Sequence, residues 1–128
     1  MFKLVKIELG RINVPEPEYL EASVAVSAGM ALVLTSGKLA KCGATAKPTY
    51  VALGAGTIGE TVAVGRVRPD NLYDVPVTAA PTSLKAGAKV TLNTDALQVT
   101  VTTTDGVATV VDTLGATAAG DTIRVRFE

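Results

Sequence analysis

Apolar and polar residues alternate along this chain in short runs, and glycine, proline or small polar residues close each run. Phe2-Lys3-Leu4-Val5-Lys6-Ile7-Glu8-Leu9 opens with near-regular alternation, the period of a half-buried strand. Gly10 ends that run. Pro15-Glu16-Pro17 follows, and prolines lack the donor that a sheet interior requires. The same reading predicts strands over 19–26, 31–35, 38–42, 49–53, 61–67, 72–77, 89–92, 97–103, 107–113 and 122–127. Ser36-Gly37 is one predicted hairpin turn. Asp105-Gly106 is the stronger one, because both residue types tolerate positive φ. No stretch sustains a helical period over three turns; the nearest is 113–119, and Gly115 weakens it.

A second regularity lies over the first. Gly29 leads to Leu32 and Leu34, Gly59 to Val62 and Val64, Gly87 to Val90 and Leu92, and Gly120 to Ile123 and Val125. Each copy reads as a turn followed by a strand whose aliphatics share one face. The second and fourth copies agree further, as Gly-Glu-Thr-Val-Ala-Val-Gly-Arg from Gly59 and Gly-Asp-Thr-Ile-Arg-Val-Arg from Gly120. Arg66 and Arg126 are read as matching positions near their ends. The chain is therefore expected to be all-β, a small β-barrel or β-sandwich built from two related halves. The halves are 18–78 and 84–128, divided near Ala79–Ser83, and residues 1–17 form an N-terminal strand and proline-containing arm.

Composition supports this reading. A chain of 128 residues is long enough to bury a core, and its 48% hydrophobic content is rich in Val, Ala and Leu, with Thr beside them. Twelve basic residues balance twelve acidic ones, so no long-range field gathers nucleic acid or anionic lipid, and neither is expected as a partner. No apolar run approaches the roughly 20 residues of a membrane helix. No secretory leader is read, and a lone cysteine fits a reducing compartment.

Candidate chemistry is sparse. The chain has no histidine, which removes the usual general base and the commonest metal ligand. Cys42 alone builds no zinc site and reads as a small buried apolar residue. The carboxylate pairs Asp70/Asp74 and Asp105/Asp112 read as turn and solvated positions, and Glu16, Glu18 and Glu21 as a solvated acidic arm. Gly54, Gly56 and Gly59 lack the lysine and the following helix of a phosphate loop. No tryptophan and few aromatic rings argue against sugar-binding or single-strand-binding surfaces. No catalytic, metal-binding or cofactor-binding residue is assigned. The remaining candidates are partner contacts: Arg66 and Arg68, with Arg124 and Arg126 in the corresponding copy.

Ala28-Gly29 before an alternating strand, then Ser36-Gly37-Lys38-Leu39, Tyr50-Val51-Ala52-Leu53-Gly54 and Gly59-Glu60-Thr61-Val62-Ala63-Val64, resembles the small capsid decoration (cement) proteins of tailed bacteriophages. The likeness runs over about residues 20–127 and is one of turns and aliphatics. It implies a non-enzymatic virion protein without a cofactor, assembled in the host bacterial cytoplasm. Such proteins bind the major capsid protein lattice on the outside of the head, often as homotrimers, and stabilise the shell. An N-terminal segment that orders on the capsid would here be the arm carrying Phe2, Leu4, Val5, Ile7 and Leu9. Deleting residues 1–17 is then expected to abolish capsid binding and leave the domain folded. Two other readings stay open: a lipoyl- or biotinyl-like carrier domain, with Lys38 at a hairpin tip, and a surface adhesion or immunoglobulin-like module.

Overall fold

The computed structural model describes residues 1–7 and 17–128. Ten strands form two antiparallel sheets, with no helix among the described residues. They are β1 (Lys3–Ile7), β2 (Glu18–Glu21), β3 (Ala31–Thr35), β4 (Lys38–Lys41), β5 (Tyr50–Ala52), β6 (Thr61–Arg66), β7 (Asn71–Pro76), β8 (Lys89–Val90), β9 (Ala108–Asp112) and β10 (Thr122–Arg126). Sheet A has the order β1-β7-β10-β9-β8, and sheet B the order β2-β6-β5-β3-β4. The sheets pack face to face and do not close on each other, so of the two expected architectures the chain adopts the sandwich. Among the described residues the outer strands are β1 and β8 in one sheet and β2 and β4 in the other, and Ala22, just past β2, bridges Leu39 of β4.

The recurring glycines explain how the sheets are built. Gly29, Gly59, Gly87 and Gly120 all take positive φ, between 78° and 94°. Each is the third residue of a turn closed by a bond from the fourth residue to the first: Met30 to Ser27, Glu60 to Thr57, Ala88 to Lys85 and Asp121 to Ala118. That is a type II turn, whose third position favours glycine because a Cβ crowds the backbone there. Each glycine N–H then donates to a carbonyl on another segment: Ala52, Ala22, Val110 and Val77 respectively. The N–H of each of these four residues donates back to the residue after the glycine. The turns therefore dock in exchanged pairs, the first on the segment leading to the second and the second on the segment leading to the first. Val26 and Gly56 exchange both backbone bonds where the first pair meets. The third and fourth turns repeat the exchange in sheet A. The chain changes sheet over 67–70, ahead of the Ala79–Ser83 boundary read from the sequence, because β7 pairs with β1 and β10.

The core lies between the inner faces. Leu32, Leu39, Val62 and Val64 of sheet B face Val75, Val90, Val110, Ile123 and Val125 of sheet A, all essentially inaccessible. Phe2, Tyr73 and Phe127 cluster with ring centroids 5.5–6.3 Å apart, Phe2 meeting Tyr73 edge-on. The N-terminal arm is thus not a free tether over its described length. Lys3–Ile7 pairs with β7, and Phe2 is 2% exposed. Deleting residues 1–17 would remove an edge strand and a core aromatic.

Two local expectations, the strand over 97–103 and the hairpin at Asp105-Gly106, fail for an identifiable reason. The hairpin at Asp105-Gly106 does not form, because 97–103 is not a strand. Val99 makes only single bridges to Val77 and Leu92, and β9 pairs instead with β8. Gly106 serves close approach: a Cβ there would stand 2.3 Å from the Lys89 carbonyl. The two-residue hairpin is Ser36-Gly37, where both residues take positive φ and join Thr35 to Lys38. No helix forms over 113–119, since Leu114 and Gly115 are both at positive φ in a turn closed by Ala116 N–H to the Thr113 carbonyl.

Candidate partner-binding surface

Three of the four candidate arginines lie on the two sheets, and carboxylates of the same chain neutralise those three. In sheet B, Arg66 on β6 is opposite Tyr50 on β5. Its Nε and Nη2 donate to the two oxygens of Glu18, each at 3.1 Å, and Nη2 also donates to the Tyr50 hydroxyl at 2.9 Å. The guanidinium lies 5.0 Å from the centre of the Tyr50 ring, and that hydroxyl donates to Glu18 at 3.2 Å. The hydrogen bond from Arg66 is the main reason the Glu18 carboxyl titrates below its ordinary value.

In sheet A, Arg124 on β10 grips Asp74 on β7 with two bonds, at 2.8 and 3.2 Å. Arg126 pairs with Glu128. Arg66 and Arg126 do not match. Counted from the turn glycines, Arg66 corresponds to Phe127, on the core side of its strand, and Arg126 corresponds to Gly65. Arg68 sits half-buried in the crossover between sheets, with Nε buried and unbonded.

The other chemical candidates are dispersed. Asp70 is buried at the crossover while Asp74 is held by Arg124. Asp105 lies in a turn, and Asp112 accepts the Leu114 N–H. No group of three or more metal-binding side chains occurs among the described residues. Cys42 is buried, its thiol donating to the Ala46 carbonyl, and burial pushes its pKa up to about 11. Glu60 bonds Thr57 within the second turn, and β6 follows that turn where a phosphate loop would need a helix. Lys38 pairs with Glu21 at 3.4 Å.

The apolar candidates converge better. Leu4 and Val5 on the open edge strand β1 are more than a third exposed, and Met1 and Leu53 more than half. A groove of about 260 Å³ runs between β1 and the β5–β6 pair of sheet B. The hydrophobic pattern marked Leu4 and Val5. Leu53 was read only as the end of a strand, and no spacing in the sequence shows that β5 and β6 lie under β1. Leu9 lies outside the described residues, and the side chain of Ile7 is not described.

Two packed antiparallel sheets, tied by four copies of one turn, define the class: an all-β sandwich. No protein-family model and no curated protein matches the chain. Among solved structures it is similar to the N base of the head fiber gp8.5 of bacteriophage phi29. The TM-score is 0.63 at 17% identity, over 88% of this chain and 92% of that one. At that identity the likeness is one of fold.

Proposed function

We propose that this chain is a structural protein of a tailed-phage virion, bound to the exterior of the capsid as a non-enzymatic homotrimer that stabilises the head. The observation that carries the reading is the fold shared with the phi29 head fiber N base across nearly the whole of both chains. It agrees with the resemblance read independently from the turn and strand motifs. The charged groups support a scaffold role. Arg66, Arg124 and Arg126 are each tied to a carboxylate of the same chain, which stiffens a surface more than it prepares a reacting centre.

The surface proposed to meet the major capsid protein is the open edge of β1 with Leu4 and Val5. An unpaired strand edge offers backbone donors and acceptors to an extended partner segment, and exposed aliphatics add area. Many copies on one lattice gain from multivalency where each contact is modest. The test is co-sedimentation with empty heads of the encoding phage, alongside native mass spectrometry. Saturable binding by a trimer is expected, and weakened binding by Leu4→Glu/Val5→Glu. Protein that stays in the supernatant at every concentration overturns the proposal.

A further inference from the structure

We propose that Asp105 is a site of spontaneous isoaspartate formation, and that the change loosens the β8–β9 edge of sheet A. The reaction needs a carboxyl that is free to turn, a following backbone nitrogen that no side chain shields, and water. Asp105-Gly106 supplies the first two in an exposed turn.

The fold itself demands this dipeptide. Asp105 has φ of 57°, in the left-handed region that glycine, asparagine and aspartate enter most readily. A Cβ at position 106 would stand 2.3 Å from the Lys89 carbonyl and 2.7 Å from the Val90 nitrogen. Those are backbone atoms that cannot swing aside, so position 106 takes glycine. Two requirements of packing thus set the least hindered nitrogen directly after an acid. The Gly106 N–H is also loosely held, reaching the Thr103 carbonyl at 3.4 Å.

The other aspartates lack these conditions. Asp74 is gripped by Arg124, and Asp95 accepts from the Leu97 N–H and the Gln98 amide. Asp112 accepts from the Leu114 N–H, and Asp121 from the Thr117 and Ala118 N–H groups. Asp70 is buried. Each precedes a residue that carries a side chain. Among the described residues, no hydrogen bond or ion pair holds the Asp105 carboxylate.

In the first step the Gly106 nitrogen bonds to Cγ of the protonated Asp105 carboxyl. The hydroxyl leaves with the amide proton as water, and a five-membered succinimide closes. Water then reopens the ring. Breaking the new N–Cγ bond restores aspartate. Breaking the bond from that nitrogen to the Asp105 carbonyl carbon leaves the main chain running through Cγ, as isoaspartate. Nothing is oxidised or reduced. The main chain gains one atom beside Gly106, whose backbone is pressed against Lys89, and just before Val107, whose N–H donates to the Val90 carbonyl. A close-packed contact of that kind cannot take a longer chain without moving β8.

The test is prolonged incubation of the full chain in neutral buffer, followed by peptide mapping by mass spectrometry with isoaspartyl-methyltransferase labelling. A transient loss of one water and a growing label are expected at Asp105 and at no other aspartate. The labelled fraction, once separated, should melt a few degrees below the parent, as a loss of about 1 kcal/mol would produce. Asp105→Asn suits the same φ and closes the same ring by releasing ammonia. An uncharged amide is a better target than a carboxylate, so this variant should convert faster, to the same two products. Label spread over Asp74, Asp95, Asp112 and Asp121, an Asp105→Asn variant that keeps its amide, or a labelled fraction that melts with the parent would each overturn the proposal. The reaction takes place within one chain, so its outcome is independent of any binding to a capsid.

Discussion

Alanine at Gly59 isolates what the recurring turn demands of its third residue. Gly59 has φ of +87°, and no atom lies within 4 Å of the place a Cβ would occupy. The substitution therefore adds no clash. Its cost is that of a left-handed backbone alone, about 1–2 kcal/mol. Gly87 and Gly120 share both properties, at φ of +94° and +87°, so their alanine variants should lose the same amount. Gly29 differs, because its Cβ would stand 2.2 Å from the Met1 Cβ and 3.0 Å from the Met1 Cα. Gly29→Ala should therefore cost more than the other three. Gly54→Ala is the control: its φ is not positive and its surroundings are open, so it should be neutral or stabilise by up to about 1 kcal/mol through the unfolded chain. Urea unfolding at constant m-value measures the series as shifts in midpoint. If Gly59→Ala and Gly54→Ala unfold at the same concentration, the four turns do not hold the sandwich in the way described.

Other consequences follow from single residues. Leu114 is half-exposed at φ of 54°, so Leu114→Asn should stabilise by up to about 1 kcal/mol and raise the melting temperature by a few degrees. Phe2→Ala should cost about 3–5 kcal/mol, since the ring packs on Tyr73 and Phe127 in the core; a loss under about 1 kcal/mol would show that β1 is peripheral to folding. Glu18 is held below its ordinary value of 4.5 chiefly by the Arg66 hydrogen bond. Its contribution is complete above that value and is lost as pH falls through the depressed one. The melting-temperature gap between the parent and Glu18→Gln should therefore narrow as pH falls from about 6 to about 3, and a gap that widens would contradict the pairing.

Much of the fold was legible because its signals are local. A type II turn needs glycine at one position, and the aliphatics behind it must share a face, so four copies of Gly29-like spacing announced four turn-strand units. How the units dock was not legible. The bonds from Gly29 to Ala52 and from Gly59 to Ala22 cross the sheet, and nothing in either segment marks the exchange. Asp105-Gly106 misled for the complementary reason: the dipeptide suits a hairpin, but Val90 outcompetes the 97–103 segment for the strand that follows. The proposed partner surface was half legible. Alternation marked Leu4 and Val5, while Phe2 belongs to the core.

Electron cryo-microscopy of the virion encoded alongside this chain tests the central claim most directly. Two-sheet sandwiches are expected in groups of three on the outer surface of the head, with β1 towards the shell. A head whose exterior carries no such density, or a sandwich located elsewhere in the particle, would contradict it.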